Sequence, residues 1–406
     1  MSSQIEGTTV ESPTAEPARR STAGRMAADF LTKMCVALSL CVVLLAVGEW
    51  LSYRWLRSFH ADKSKPPEFI AQTNPLASQL WHEWEQSSNN LQYKAFVVWR
   101  REKFEGQAVH VDDAGLRRTE YCDCSPGAYT IWMFGNSTLW GMGSLDEQTI
   151  PSQLAKLYQE SGLRVCVRNY GEYGWVSTQE LIQLMLELKA NPQKPNLVIF
   201  YDGAVDSFLP YETDAGDVHG EYNQIRTFFK EFRTQQKPGL RFLRSTNTYR
   251  ALEILAAKLQ KSSEPKGESV KAERTPDEIA RRVQANYLKN MELVELLGRQ
   301  FNFQCDFFWQ PSALVGPKPF TPEEEKLRRA AEKANPGIPE IYQATWSLMR
   351  QVRNPDFHFL GDVFKDRSDR VYVDGNHVGP GANQIISGEI FKVVRASYPA
   401  EPGPAQ

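Results

Sequence analysis

Apolar residues fall along this chain in three recurring arrangements, and each predicts a different element. Short unbroken runs such as Tyr129-Thr130-Ile131-Trp132-Met133-Phe134 and Asn196-Leu197-Val198-Ile199-Phe200-Tyr201 lack the polar alternation of a half-exposed strand. Parallel strands covered on both faces have that pattern. Strands are accordingly expected at 129–134, 164–169, 196–201, 302–309 and 371–373. Segments with helical spacing of apolar positions lie between and after them, at 149–161, 177–189, 322–334, 338–352 and 381–396. Strands alternating with helices predict an α/β domain built on a doubly wound, mostly parallel five-stranded sheet. Ligands of such sheets sit beyond the carboxyl ends of the strands.

The third arrangement is a single long apolar stretch near the amino terminus. Met34 to Gly48 carries no charge. As a helix it spans only about 22 Å, short of a hydrocarbon core of roughly 30 Å. Its flanks can supply the difference: Phe30 and Leu31 precede Lys33, whose stem can snorkel, and Trp50, Leu51, Tyr53 and Trp55 suit the far interface. A transmembrane anchor over 27–56 is expected, with a disordered cytoplasmic tail at 1–26 and a linker or membrane-proximal segment at 57–90. Arg19, Arg20, Arg25 and Lys33 all precede the apolar stretch, which places the amino terminus in the cytoplasm and the remaining chain outside it, in a periplasm or at a cell surface. Two other readings stay open. Ala46-Val47-Gly48 is a passable signal-peptidase site, and the stretch also fits a buried core helix.

The main domain is expected over 91–398, followed by a tail at 399–406. Its first part, Leu91 to Thr119, reads as a strand-rich apron on the sheet. A helical insert at about 207–300, with helices near 223–233, 246–260 and 276–300, separates the third and fourth strands. Within it, the polar tract from Lys261 to Pro276 reads as a loop. The insert either covers a site or forms a solvated hairpin.

Charge and composition narrow the functions. Over 406 residues the formal net charge is −2 and the pI near 6.4, with no basic stripe interleaved by aromatics, so no nucleic-acid partner is expected. Of six cysteines, Cys35 and Cys41 lie in the apolar stretch. Cys122, Cys124, Cys166 and Cys305 lie where disulfides persist in an exported domain, and spacing does not choose among their pairings. The histidines are scattered and Cys122-Asp123-Cys124 lacks zinc spacing, so neither a metal nor a cofactor is expected.

Candidate chemistry sits where strands end. Gly135-Asn136-Ser137-Thr138 follows the first strand, and Asp374-Gly375-Asn376-His377 follows Val371-Tyr372-Val373. A serine, an aspartate and a histidine at strand ends are the parts of a nucleophilic hydrolase. Each tetrapeptide alone is equally a turn or a helix cap. Two further strand ends add polar, glycine-containing loops: Asn169-Tyr170-Gly171-Glu172-Tyr173-Gly174 and Asp202-Gly203-Ala204-Val205-Asp206.

Taken together and in this order, the four segments resemble the blocks of the SGNH/GDSL hydrolase superfamily, and more closely its bacterial membrane-anchored members, over roughly residues 91 to 398. The resemblance implies a flavodoxin-like SGNH fold. It implies Ser137 as nucleophile, His377 as base with Asp374 as its partner, and the Gly174 N–H in the oxyanion hole, with Asn169, Gly203 and Asp206 as further oxyanion or substrate-binding candidates. One departure matters: where the family has an oxyanion-binding asparagine, this chain has Val205, which donates no hydrogen bond. Asn136 and Asn169 are candidate replacements. The function expected from the resemblance is hydrolysis of an ester, with acyl groups such as acetyl on a carbohydrate as the substrate class, the membrane being contacted through the amino-terminal helix. The alternatives are a catalytically weak or inactive binding or assembly protein, and an acyltransferase.

Overall fold

In the computed structural model, residues 22–61, 65–213, 218–234, 245–263 and 274–399 are described. Most of the expected tail at 1–26, the centre of the tract at 261–276 and nearly all of the tail at 399–406 lie outside them. The chain divides into two compact units, one formed by Met1–Phe59 with Lys237–Ser262 and the other by His60–Gln236 with Ser263–Gln406.

Helix α1 (Thr22–Ala61) belongs almost wholly to the first unit. Within its segment Gly24–Leu56 an 18-residue stretch has a mean hydropathy of 2.4, and the helix is long and apolar enough to cross a membrane or to act as a signal sequence.

The second unit opens with α2 (Glu68–Thr73) and α3 (Ala77–Asn89), so the segment expected to be a linker is largely helical. The reason lies in its apolar positions. Ile70, Ala77 and Leu80 are buried together with Val109, Val111 and Trp140 in a cluster of their own. Two short antiparallel hairpins follow, β1 (Leu91–Lys94) with β2 (Val98–Arg101) and β3 (Phe104–Glu105) with β4 (His110–Val111). They form the expected apron. Arg117 bridges its backbone to Asn169 at the edge of the main sheet, which covers an otherwise open strand edge.

The main sheet begins with β5 (Tyr129–Gly135), followed by α4 (Ser137–Trp140), α5 (Ile150–Glu160), β6 (Val165–Asn169), α6 (Ser177–Ala190), β7 (Leu197–Asp202) and α7 (Ala204–Thr213). The insert contributes α8 (Tyr222–Thr234) and α9 (Asn247–Ser263), the latter in the first unit, and α10 (Pro276–Phe301). Then come β8 (Gln304–Trp309), α11 (Pro322–Ala334), α12 (Ile338–Met349), β9 (Phe357–Phe359) and α13 (Pro380–Val394). The five strands stand in the order β6-β5-β7-β8-β9, every pair parallel. Alternate residues of β5 feed two cores. Tyr129, Ile131 and Met133 meet α5 and α13 on one face, while Trp132 and Phe134 meet α6, α10 and α12 on the other. Burial on both faces is why these strands read as unbroken apolar runs.

The fifth strand is not at 371–373. It is β9, only three residues long, pairing with β8 from Phe307↔Phe357 to Trp309↔Phe359. Val371-Tyr372-Val373 is buried, which gives it a strand's composition, but its N–H groups bind the Glu324 carboxylate and the His377 turn instead of a sheet neighbour.

Under the carboxyl end of β7 three carboxyls are buried together: Glu180, Asp202 and Asp206. Tyr287 donates to Asp202 Oδ2 at 3.3 Å, and Ser177 donates through N and Oγ to Asp206 Oδ1 at 3.1 and 2.7 Å. Burial first, and then the neighbouring acids, push Glu180 and Asp202 well above the usual carboxylate range. The fold therefore keeps protons that the unfolded chain releases as pH rises, so this cluster lowers stability progressively above the ordinary carboxylate pKa. Glu180→Gln is expected to melt higher than the parent at about pH 8, with a smaller gap at about pH 5. A variant less stable than the parent at the higher pH contradicts this.

Candidate active site

The strand order reverses direction between β5 and β7, and the crevice at such a switch point is where ligands of open α/β sheets bind. Ser137 leaves β5 at that point. A Cβ on Gly135 would stand 2.6 Å from Tyr201 O and 2.8 Å from Leu139 Cβ, so only glycine lets the chain turn this close to β7. Asn136 caps the short helix α4, its Oδ1 accepting from Thr138 N (3.1 Å) and Thr138 Oγ1 (2.8 Å). Ser137 occupies the first helical position, 5% exposed.

From the other end of the sequence, a tight turn brings Asp374 and His377 to the same place. Val373 N donates to His377 O at 2.8 Å, and Tyr372 bridges Val378 antiparallel. Within the turn Asp374 Oδ1 accepts from Asn376 N (2.9 Å) and His377 N (2.8 Å). His377 Nδ1 stands 2.8 Å from Asp374 Oδ2, and His377 Nε2 stands 2.8 Å from Ser137 Oγ. With the Nδ1 proton shared with the carboxylate, Nε2 is the acceptor facing the serine hydroxyl. Burial pushes the Asp374 carboxyl up, but the imidazole and the two backbone N–H groups outweigh it and hold it at about 2. Asp374 thus stays ionised at neutral pH.

Several buried polar groups that the sequence reasoning missed fix these parts. Glu324, fully buried in α11, accepts from Val371 N (2.8 Å) and Tyr372 N (3.1 Å) through one oxygen, and from Lys318 Nζ (2.7 Å) and Thr321 N (3.0 Å) through the other. It holds the chain leading into Asp374. Ser312 Oγ lies 3.0 Å from both Gly375 O and Asn376 Oδ1, and Asn376 Nδ2 donates to Tyr342 Oη, which donates to Ala204 O at 2.7 Å. Gln310, just past β8, accepts through Oε1 from Asn136 Nδ2 (3.4 Å) and stands 3.0 Å from Thr138 Oγ1, bracing the residues on both sides of Ser137. A legible signal existed for Gln310 and Ser312 alone: they directly follow a recognised strand at the same sheet edge.

The remaining predicted residues divide. Gly174 lies in the turn after β6, where Tyr173 O accepts from Trp99 Nε1 at 3.0 Å. Among the described residues, the N–H groups of Gly174 and Ser137 have no protein acceptor. Asn169 is committed elsewhere, its Oδ1 accepting from Gly171 N and its Nδ2 donating to Leu139 O. Asn136 is committed to Thr138 and Gln310. Each of these Nδ2 groups uses one of its two N–H donors in these contacts. Asp206 is turned into the buried acid cluster, where it caps α6 through Ser177. A Cβ on Gly203 would meet Trp309 Cε2 at 3.0 Å, so its place is set by packing. Val205 is partly exposed in the first turn of α7.

The apron reaches the site through arginines. Arg117 donates from Nη1 to Trp140 O and Gly141 O, from Nη2 to Ser144 O and from Nε to Asp146 Oδ1. Arg101 pairs with Glu172 at 3.1 Å. The guanidinium carbons of Arg101 and Arg117 stand 3.8 and 4.3 Å from the Trp140 ring centroid, and all three side chains are buried. A disulfide joins Cys124 to Cys166 on β6, while Cys122 and Cys305 remain thiols.

No family model matches this sequence, and no curated protein does. Among solved structures the chain is similar to a lipolytic protein of the G-D-S-L family from Veillonella parvula DSM 2008 (10% identity, 66% of this chain and 98% of that one, TM-score 0.33). It is also similar to the psychrotrophic esterase EstA from Pseudoalteromonas sp. (13%, 66% and 97%, TM-score 0.31) and to AlinE4, an SGNH-hydrolase family esterase (16%, 67% and 98%, TM-score 0.26).

Glu324→Ala leaves Lys318 buried without its counter-ion and frees three backbone donors. It is expected to cost about 3–5 kcal/mol in denaturant unfolding. A loss under about 1 kcal/mol would show that the chain before Asp374 is held by other contacts.

Proposed function

We propose that this chain is a serine ester hydrolase of SGNH type, anchored in a membrane by α1 with its hydrolase domain outside the cytoplasm. The observation that carries the reading is the unbroken relay from Asp374 through His377 to Ser137, with 2.8 Å at each link. In this reading His377 Nε2 takes the hydroxyl proton as Ser137 Oγ attacks the ester carbonyl. The oxyanion is received by the N–H groups of Ser137 and Gly174. His377 then returns the proton to the leaving alcohol, and water, deprotonated by the same nitrogen, releases the acid from the acyl-enzyme. Acyl groups such as acetyl on a carbohydrate are the substrate class we assign. The Cys124–Cys166 bridge supports a location outside the cytoplasm, where disulfides persist.

Val205 supports a second reading. Removing one oxyanion donor costs about 10² to 10³ in turnover. A slow hydrolase, an acyltransferase in which a sugar hydroxyl replaces water, or a binding protein that retains the relay would each tolerate that loss.

The test is covalent labelling of the full chain with a fluorophosphonate, read as a mass gain on Ser137. The hydrolase reading expects stoichiometric labelling that Ser137→Ala abolishes and that Asp374→Asn slows by about 10⁴, since the asparagine favours the wrong imidazole tautomer. Unlabelled protein is then offered acetylated sugars, with and without an acceptor sugar, to separate hydrolysis from transfer. A folded chain that does not label favours the binding protein.

A further inference from the structure

One contact in the first unit serves neither the sheet nor the catalytic relay. Glu49 follows directly on the uncharged stretch Met34–Gly48 of α1 and precedes Trp50, Leu51 and Tyr53. Its carboxylate receives the start of α9. Asn247 donates to Oε1 from N at 2.6 Å and from Nδ2 at 2.8 Å, and Thr248 donates to Oε2 from N and from Oγ1, both at 2.8 Å. Four donors on one carboxylate, at the positive end of a 17-residue helix, compensate an acid that would otherwise be costly at the edge of a membrane span.

The position of Glu49 fixes where α9 starts. The uncharged stretch ends at Gly48, and Trp50 and Tyr53 are half exposed, as residues of an interfacial aromatic belt are. α9 therefore begins at the depth of the headgroups. Within about two turns it exposes Leu252 (58%), Ile254 (38%) and Leu255 (47%), next to Arg250 and ahead of Lys258 and Lys261 in the sequence. Apolar side chains interspersed with basic ones suit the boundary between acyl chains and anionic headgroups.

We propose that α9 is a membrane-surface helix: the Glu49 clasp docks it to the anchor, and Leu252 and Leu255 rest in the lipid interface. The proposal depends on the reading of α1 as a membrane span. It goes further in making the apolar helix a structural partner of the insert.

The test uses the full chain in vesicles of phosphatidylcholine and phosphatidylglycerol, with the photo-crosslinker p-benzoylphenylalanine placed at Leu45, Leu252 or Lys392 in turn and lipid adducts read by mass spectrometry. Leu45 lies exposed within the span, and Lys392 lies on the exposed surface of α13. Lipid adducts are expected at 45 and 252 and not at 392. Glu49→Ala is expected to lower the yield at 252 at least fivefold while leaving that at 45 unchanged. Adducts at 45 without adducts at 252 overturn the proposal and leave the membrane span standing. No adduct at 45 overturns both. An unchanged yield at 252 in Glu49→Ala shows that the clasp does not dock the helix, and overturns the proposal as well.

Discussion

Arg117 ties three parts of the second unit together. Its backbone bridges the edge of β6, and its guanidinium binds the carbonyls that close α4, the Ser144 carbonyl and Asp146. Together with Arg101 it encloses the Trp140 ring. A buried guanidinium is costly unless its donors are matched, and burial does press the Arg117 pKa downward. Matching it requires the apron, the sheet edge and the Ser137 helix to be in register at once. The end of α4 is thereby fixed from outside the sheet. Ser137 has little fixation of its own, because a helix of four residues has no internal cooperativity to hold it.

The same logic governs the opposite side of the site. The Asp374–His377 turn is not part of the sheet, and its hydrogen bonds to itself fix only its shape. Its position comes from Glu324 and from the Ser312–Asn376–Tyr342 chain, which ties it to the loops after β8 and β7. Gln310 ties the Ser137 turn to the loop after β8. Serine and histidine, 240 residues apart, thus meet at 2.8 Å because each is fastened to the same strand ends.

Much of this was legible in the sequence, and the limits were physical. Unbroken apolar runs located β5 and β7, because burial on both faces leaves a strong signal. The same signal misplaced the fifth strand. Val371–Val373 is buried without being in the sheet, while β9 is a three-residue edge strand that offers too few positions for any period to show. Ser137, Asp374 and His377 were readable because each follows an apolar run and belongs to an ordered set of motifs. Glu324 was not, since a glutamate in the first turn of a charged helix looks like an ordinary capping residue, which it also is. The buried arginines of the apron were hidden for a related reason: charged residues in short strands read as surface. Spacing left the disulfide open, and it was settled only by the fold bringing Cys124 beside Cys166 on β6.

The most direct measurement of this dependence is the rate of fluorophosphonate labelling of Ser137 in Arg117→Lys, set beside its thermal melting curve. Lysine keeps the charge but lacks the planar fork that spans four acceptors. The expected result is a chain that still unfolds cooperatively, melts lower, and labels at least tenfold more slowly at a temperature where it is fully folded. A folded Arg117→Lys that labels at the parent rate would show that α4 is held without the apron, and would contradict the dependence of Ser137 on Arg117.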